Sequence, residues 1–418
     1  MKKKILLKGP LLTRSGYGEQ ARFALRALRS REDLFEIFIQ PIQWGVTSWI
    51  TSNDEERVWI DNTIEKTIGY IQQGGYFDIS LQVTIPNEWE KLAPLNIGYT
   101  AGIETNKVAP LWLQKANEAV DKVIVVSTHS ENVYKNTVAI AENKQTGEKF
   151  EYRVKNDVVT VGYPVKTFNS LPDLDLNLDF EFNFLCVAQY GPRKNITNTI
   201  KWFIEEFHDE NIGLVLKTNV AKNCLMDREH VLNNIKNITN NYPNRACKVY
   251  LLHGDMSDEE MHSLYCHKKI SSLLALPHGE GFGLPIFEAA YCGLPVVSTG
   301  WSGQLDFLVD EQKKERFYNV AFDLNQIQKE IVWDNVLIPE SMWAYPREQS
   351  AKQQMRACFN DINDSVEGSI ADNSCEYAKN LVNRFSNDKM MSEFVEHIYS
   401  PDPEYLEWVR QLEELDEL

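Results

Sequence analysis

The chain has 418 residues, too many for one compact hydrophobic core, and this length predicts two domains of roughly 150 to 200 residues each. Hydrophobic residues make up 43% and aromatic residues 11% of the chain, as in folded globular proteins. The formal net charge of −17 argues against charge-driven binding to nucleic acid or anionic lipid, because both require a positive surface.

The sequence shows no mark of a membrane protein or of a metal or disulfide framework. No apolar run reaches the ~18 residues of a membrane span, and the apolar start is too short for a signal peptide. We therefore expect a cytoplasmic protein without stable membrane insertion. Because the seven cysteines have no Cys-x-x-Cys spacing, we expect reduced thiols and neither a zinc site nor a disulfide framework. They lie at positions 186, 224, 247, 266, 292, 358 and 375.

The N-terminal half begins with a predicted strand, Lys4 to Lys8, and a glycine turn that leads into a helix. Free backbone amides at the start of that helix predict an anion pocket around Gly16, although the glycine spacing is not that of a dinucleotide fingerprint. Apolar residues recur along the helix at helical spacing. Its arginines fall on the other face, where we expect them to be solvated: Arg22, Arg26 and Arg29.

Two further strands of this half end at polar side chains. Asn96 to Thr100 is followed by Glu104, and Lys122 to Ser127 is followed by His129. A surface glutamate, and a histidine that caps a helix or packs in the core, are the interpretations that the residues alone support.

The order of apolar runs and helical patterns predicts an α/β protein with two doubly wound, Rossmann-like domains. We place the first domain at residues 1–168 and a polar, acidic linker at 169–180. The second domain takes residues 181–387, and C-terminal helices take 388–418.

Cations follow two successive predicted strands of the second domain. Phe184 to Ala188 leads to Arg193 and Lys194, and Gly213 to Leu216 leads to Lys217. A single loop cation is usually solvated. Cations at neighbouring strand ends instead predict a site for an anionic ligand.

The most informative segment runs from Pro277 to Ser298. A buried strand precedes three glycines that allow a sharp turn, and a helix then follows, with Pro285 at its first position and Gly293 just past its end. The amides around Phe282 to Ile286 are expected to be free to receive phosphate and hydroxyl oxygens. Glu280 and Glu288 can each bind a pair of hydroxyls, as on a hexose or a ribose. The alternative is an ordinary βαβ unit with solvated glutamates.

This segment resembles the E-x7-E signature of retaining glycosyltransferases of GT-B fold, above all family 4. The matching residues are Glu280, Gly281, Phe282, Gly283, Leu284, Pro285, Glu288, Ala289, Gly293, Pro295 and Val296. The resemblance implies two Rossmann-like domains facing a cleft, with acceptor and donor sites in the first and second domain and C-terminal helices that cross back to the first. It also implies that Glu280 and the amides of Gly281 to Leu284 hold the donor sugar, and that Glu288 holds the ribose.

The resemblance implies roles for residues outside the signature. Arg193 and Lys194 are similar to the family's pair of donor-phosphate contacts, although Gln189 stands near the place of its usual earlier arginine. Lys217 is a further phosphate candidate, and Gly16 would face the phosphates across the cleft. His253 would border the base pocket, with a satisfied structural histidine as the alternative. The loop from Gly300 to Asp306 would close over the donor.

For catalysis, the resemblance makes Glu104 the candidate that helps to take the acceptor proton, with His129 in reserve. Catalytic roles are also assigned to Glu280, Arg193 and Lys194. The family does without a metal, so we expect a metal-independent enzyme with no cofactor beyond a nucleotide diphosphate sugar as co-substrate.

The sequence therefore predicts a retaining hexosyltransferase that uses a donor of the GDP-mannose or UDP-glucose type. The expected acceptor is a saccharide hydroxyl. A sugar-nucleotide epimerase or hydrolase of the same fold, a donor-binding module without catalysis, and a transferase acting on a modified DNA base or a protein are the alternatives. The acidic balance counts modestly against DNA.

Overall fold

A computed structural model of the chain describes residues 2–400 and shows two α/β units, each built on a six-stranded parallel sheet. Within these residues the elements of the first unit are β1 (Lys3–Gly9), α1 (Gly16–Arg29), β2 (Phe35–Pro41), α2 (Glu55–Gln72), β3 (Ile79–Val83), β4 (Leu95–Thr100), α3 (Pro110–Glu118), β5 (Lys122–Val125), α4 (Thr128–Asn136), β6 (Ala139–Glu142), β7 (Lys149–Tyr152) and β8 (Asp157–Thr160).

The second unit begins at Asn183. Its elements are β9 (Asn183–Val187), α5 (Ile196–Glu206), β10 (Gly213–Lys217), α6 (Leu225–Thr239), β11 (Lys248–Leu252), α7 (Asp258–Tyr265), β12 (Ser272–Ala275), α8 (Leu284–Tyr291), β13 (Val296–Thr299), α9 (Leu305–Leu308), β14 (Tyr318–Val320), β15 (Phe322–Gln326), β16 (Met342–Pro346), α10 (Glu348–Asn363) and α11 (Ser374–Arg384). One further helix, α12 (Asn387–Ile398), follows the second unit. Short 3₁₀ turns cover Pro86–Glu88, Pro192–Lys194 and Lys329–Ile331.

Strand order places the ligand crevice of each unit. The first sheet has the order β2-β1-β3-β4-β5-β8, and the second has β11-β10-β9-β12-β13-β14. The chain changes direction between β1 and β3 in the first sheet, and between β9 and β12 in the second. Crevices open at such switch points, beyond the carboxyl ends of the strands. The predicted fold class, two doubly wound Rossmann-like domains, is confirmed.

Helix α12 returns to the first unit after the second is complete. Its Phe394 is fully buried and packs against Phe23 of α1 and Tyr99 of β4, with ring centroids 5.2 and 4.9 Å away. The backbone oxygen of His397 accepts a hydrogen bond from Lys122 at 3.1 Å. The part of the predicted C-terminal helices beyond residue 400, with its acidic end, lies outside the described residues. The predicted domain boundaries stay predictions.

The helices between residues 2 and 400 include none that combines the length and the apolar character needed to cross a bilayer.

Replacing Phe394 with alanine tests the returning helix. Because the side chain fills a closed aromatic cluster, we expect the free energy of unfolding to fall by about 3–5 kcal/mol. Chemical denaturation followed by fluorescence measures it. The matched control is Glu396→Ala on the exposed face of α12, which should change stability by less than about 0.5 kcal/mol. Equal stability of the two variants would contradict the packing role.

Candidate active site

One large cleft lies between the two units, with a volume of about 950 Å³. Its walls are the loops that follow the carboxyl ends of the strands in both sheets. Residues from the first unit include Gly16, Glu19, Arg22, Ala101, Glu104 and Lys166. Residues from the second unit include Arg193, Lys194, Lys217, Gly254, Asp258, Glu280 to Pro285, and Glu288. Most of the predicted site residues therefore meet in this cleft, whereas His253, the reserve candidate His129 and the loop from Gly300 to Asp306 do not line it.

The turn from Gly279 to Gly283 delivers both glutamates to the cleft. Gly283 caps helix α8 with φ of 96°, a left-handed conformation that glycine adopts without strain. The sequence predicted Pro285 at the first position of the helix. The helix starts one residue earlier, at Leu284, so Pro285 is its second residue. Gly293, with φ of 86°, follows the helix end as expected.

The backbone amides of this turn differ in their availability. The Ile286 amide donates to the Gly283 oxygen at 2.9 Å, so it is not free, contrary to the prediction. The Glu280 amide donates to Ser302 Oγ at 2.9 Å. Among residues 2–400, the amides of Gly281, Phe282, Gly283 and Leu284 make no hydrogen bond. These four remain to receive a ligand.

Two glycines of the turn are required by the neighbouring unit. A Cβ atom on Gly279 would lie 2.2 Å from the Glu104 backbone oxygen, and one on Gly281 would lie 1.9 Å from the Ala101 oxygen. No side chain fits at such distances. The signature turn therefore packs directly on the loop after β4, and the two units meet backbone to backbone.

An ionic cluster lies where these loops meet. Arg193 reaches Glu104 at 3.2 Å and Glu280 at 3.0 Å, and Lys194 reaches the other oxygen of Glu280 at 2.5 Å. Burial raises the pKa of Glu280, but Lys194 and Arg193 outweigh it, so the pKa lies below its usual value and the group is ionised. Burial, followed by the neighbouring Arg193, lowers the pKa of Lys194. Arg193 therefore links Glu104, the predicted acceptor-side carboxylate, to Glu280, the predicted donor-side carboxylate.

Glu288 lies one turn into α8 in a second polar cluster. Tyr265 of α7 donates to its Oε2 at 3.0 Å, which leaves the second oxygen for a ligand. Burial raises the pKa of Glu288, and Lys166 and Tyr265 oppose that shift. Lys166 itself bridges Glu19 and Asp258, both at 3.0 Å. Our sequence reasoning missed Glu19, Lys166 and Tyr265, because each stands outside any motif and only the fold brings them together.

Lys217 is the last residue of β10, and His253 follows the neighbouring strand β11. The Lys217 side chain faces the cleft, whereas the His253 ring does not. Lys217 lines the cleft and donates to the Gly254 oxygen, and burial lowers its pKa. The prediction that His253 borders the base pocket needs correction, since its ring does not line the cleft. It lies 3.0 Å from Asp227, whose carboxylate also accepts amides of the loop after β10, and its side chain is 3% exposed. The alternative of a satisfied structural histidine fits this position.

Glu104 lines the cleft, whereas His129, the reserve candidate, does not. The His129 Nε2 atom lies 3.2 Å from the Thr105 oxygen, and the ring packs edge-on against Trp301 at 4.9 Å. Burial lowers its pKa to about 4, and the bond to Thr105 opposes that shift. These contacts favour a packing role for His129.

Two other sequence expectations also change. The loop from Gly300 to Asp306 lies behind the signature turn, where Gly303 donates to the Glu280 oxygen at 3.0 Å, and it does not line the cleft. Arg22 and Arg26 were expected to be solvated, but both line the cleft. Arg22 pairs with Glu19 at 2.9 Å, because α1 turns this face toward the second unit.

The second unit is similar in sequence to known proteins. Residues 177–330 match the sequence profile of the family described as Glycosyl transferases group 1. This range holds the second-unit site residues, from Arg193 to Glu288. Two curated Escherichia coli proteins, both called serotype-specific mannosyltransferase WbdA, are 30% identical over 204 residues. Each match covers 45% of this chain and only 22% of the relative's length.

Solved structures resemble both units together. A glycosyltransferase from Rickettsia africae ESF-5 superposes with a TM-score of 0.57 at 14% identity, covering 95% of this chain and 98% of that one. Sucrose-phosphate synthase from Thermosynechococcus elongatus gives 0.58 at 13% identity, covering 94% and 98%. Anabaena Alr3699/HepE, solved with UDP and glucose, gives 0.54 at 14% identity, covering 94% and 99%. At these identities the likenesses show the fold of the two units, and the family match concerns residues 177–330.

Replacing Gly281 with alanine tests the contact between the units. The added Cβ would collide with the Ala101 oxygen, so we expect the units to separate, with a larger radius of gyration by small-angle X-ray scattering and a loss of at least about 1–3 kcal/mol in stability. Gly191→Ala is the control, because a Cβ there meets no atom within 4 Å. An unchanged scattering profile for Gly281→Ala would rule out the backbone contact.

Proposed function

We propose that this protein is a retaining glycosyltransferase that moves a hexose from a nucleotide diphosphate sugar to an acceptor hydroxyl of a glycan. The observation that carries the proposal is the pair Glu280 and Glu288, with four unpaired backbone amides between them, facing one cleft. Carboxylates bind hydroxyl pairs and free amides bind phosphate or sugar oxygens. A sugar nucleotide is a single ligand that carries both hydroxyl pairs and phosphate oxygens.

The cations of the cleft are suited to the leaving group. When the glycosidic bond of the donor breaks, negative charge grows on the departing diphosphate, and cations held in place beforehand stabilise that charge. Arg193, Lys194 and Lys217 line the cleft next to the free amides. Arg193 and Lys194 are already oriented by Glu280, so little reorganisation is needed when a diphosphate binds.

The two glutamates differ in their surroundings, which supports different roles. Glu280 is held by two cations at the turn and would orient the sugar hydroxyls near the reacting carbon. Glu288 has one oxygen bonded to Tyr265, and the other would accept the ribose hydroxyls. We assign sugar binding and turnover to Glu280, and nucleotide binding to Glu288.

The acceptor side is the wall formed by the first unit. Glu104 faces the cleft there, and Arg193 holds its carboxylate at 3.2 Å, a position from which we assign it the role of taking the acceptor proton. Retention of the anomeric configuration, a front-face route and independence of metal are proposed on the family resemblance. A donor of the GDP-mannose or UDP-glucose type is supported by the names of a mannosyltransferase relative and of a neighbour solved with UDP and glucose.

Separate substitutions of the two glutamates test this division of roles. Glu288→Ala should weaken nucleotide diphosphate binding about 10- to 100-fold, the cost of losing a hydrogen bond to a charged group. Glu280→Ala should lower kcat by about 100-fold or more, as expected for a group that acts at the reacting centre. Calorimetry with the nucleotide and turnover assays measure the two effects.

The exposed Glu229→Ala on α6 serves as the control and should behave as the parent protein. If Glu280→Ala and Glu288→Ala both transferred sugar at the parental rate, the donor assignment would be wrong.

A thermal-shift screen against UDP, GDP, ADP and their hexose conjugates identifies the donor. The preferred nucleotide should raise the stability of the folded protein in proportion to ln(1 + [L]/Kd). Incubation of that donor with saccharide acceptors should then yield a glycoside of unchanged anomeric configuration by NMR. Release of free sugar or of an epimer without acceptor would favour the hydrolase or epimerase instead, and binding without any turnover would favour a donor-binding module.

A further inference from the structure

Outside the cleft, a histidine and two cysteines converge at the C-terminal ends of α7 and α8. The ligand atoms of His262, Cys266 and Cys292 all lie within 4.8 Å of one another. Cys266 is exposed, while His262 and Cys292 are half-buried. None of the three lines the cleft. The proposed glycosyl transfer does not use them.

The distances within this cluster suit a tetrahedral zinc ion. The Cys292 Sγ atom lies 3.5 Å from His262 Nδ1 and 3.7 Å from Nε2. With Zn–S near 2.3 Å and Zn–N near 2.0 Å, two ligands of one tetrahedral ion are separated by about 3.5 Å. The separation of the ring and the thiol therefore falls in the range of two ligands on one ion. Because the Cys292 Sγ atom is almost equally far from both ring nitrogens, the His262 ring must turn to direct one nitrogen at a shared ion. The Cys266 Sγ atom lies within 4.8 Å of the other two ligand atoms.

The fold holds the three side chains together for reasons that do not depend on the cluster. His262 and Cys266 are four residues apart at the end of α7, so they share one helix face. Cys292 caps the C-terminus of α8, and the Tyr265–Glu288 hydrogen bond ties α7 to α8 close by. Phe168 packs edge-on against the His262 ring at 5.2 Å. The packing of α7 against α8 thus brings the three residues together before any metal binds.

We propose that His262, Cys266 and Cys292 bind one Zn²⁺ ion, with solvent as the fourth ligand on the exposed side of Cys266. Binding releases the thiol protons, because thiolates are the metal ligands. The ion joins the C-terminal ends of two helices whose other ends line the cleft, at Asp258 on α7 and at Leu284 on α8. It stabilises the donor-side wall from behind. The proposal departs from the expectation that the cysteines form no zinc site, which rested on spacing along the chain.

Metal binding by the full chain, stripped with a chelator and kept reduced, tests the proposal without any assay of activity. After one equivalent of Zn²⁺ and gel filtration, the parent protein should retain one zinc per chain and melt at a higher temperature. Co²⁺ in place of Zn²⁺ should give the visible bands of a tetrahedral site and a thiolate charge-transfer band. Cys266→Ser should weaken zinc binding by at least about tenfold, since even residues that only support a metal ligand have that effect.

The exposed cysteines outside the cluster provide matched controls. Cys224→Ser and Cys375→Ser should bind zinc as the parent does. His262→Asn gives a second test of the site that leaves every thiol in place. Equal zinc affinity of Cys266→Ser and the parent, or a loss caused by the control substitutions, would overturn the site. So would a Cys266–Cys292 disulfide that forms in air in a protein that takes up no zinc, since the pair would then be a redox element.

Discussion

The close approach of two backbone loops is the constraint on which the rest of the structure depends. The turn from Gly279 to Gly283 touches the loop after β4 so closely that neither Gly279 nor Gly281 has room for a Cβ atom. This contact brings the switch points of the two sheets to face each other. It also sets the distance between Glu104 on one wall and Glu280 on the other. The cleft has its shape because two backbone segments of the chain meet without side chains between them.

Although the chain is acidic, the cleft contains a group of cations. The chain carries a net charge of −17, yet Arg193, Lys194 and Lys217 gather within one cavity. Carboxylates hold Arg193 and Lys194 in place, and Lys217 bonds to a backbone oxygen. Partly buried ion pairs contribute little to stability once desolvation is counted. The ion pairs instead fix the positions of the cations before a phosphate binds. This matters in a protein whose negative net charge would otherwise repel anions.

Several parts of the site could be predicted from local sequence. Gly283 and Gly293 mark the ends of α8 because their backbone conformations suit glycine, and the spacing of Glu280 and Glu288 follows from one turn and one helix. Arg193 and Lys194 were predicted because they lie in the loop after one strand, and Lys217 because it ends the next, and such strand ends meet at one edge of a parallel sheet. In each case a short segment determines the position of the side chain.

What the sequence determined by itself was the alternation of strands and helices, the signature turn and the residues at strand ends, since these depend on neighbours along the chain. Tertiary structure alone decided the contacts between distant segments. It turned the His253 ring to Asp227, Arg22 to the cleft, and Lys166 to Glu19 and Asp258. It also brought Cys292 to His262 and Cys266. Such contacts depend on how two sheets and their helices pack, and no local pattern of residues encodes the distance between segments so far apart in the chain.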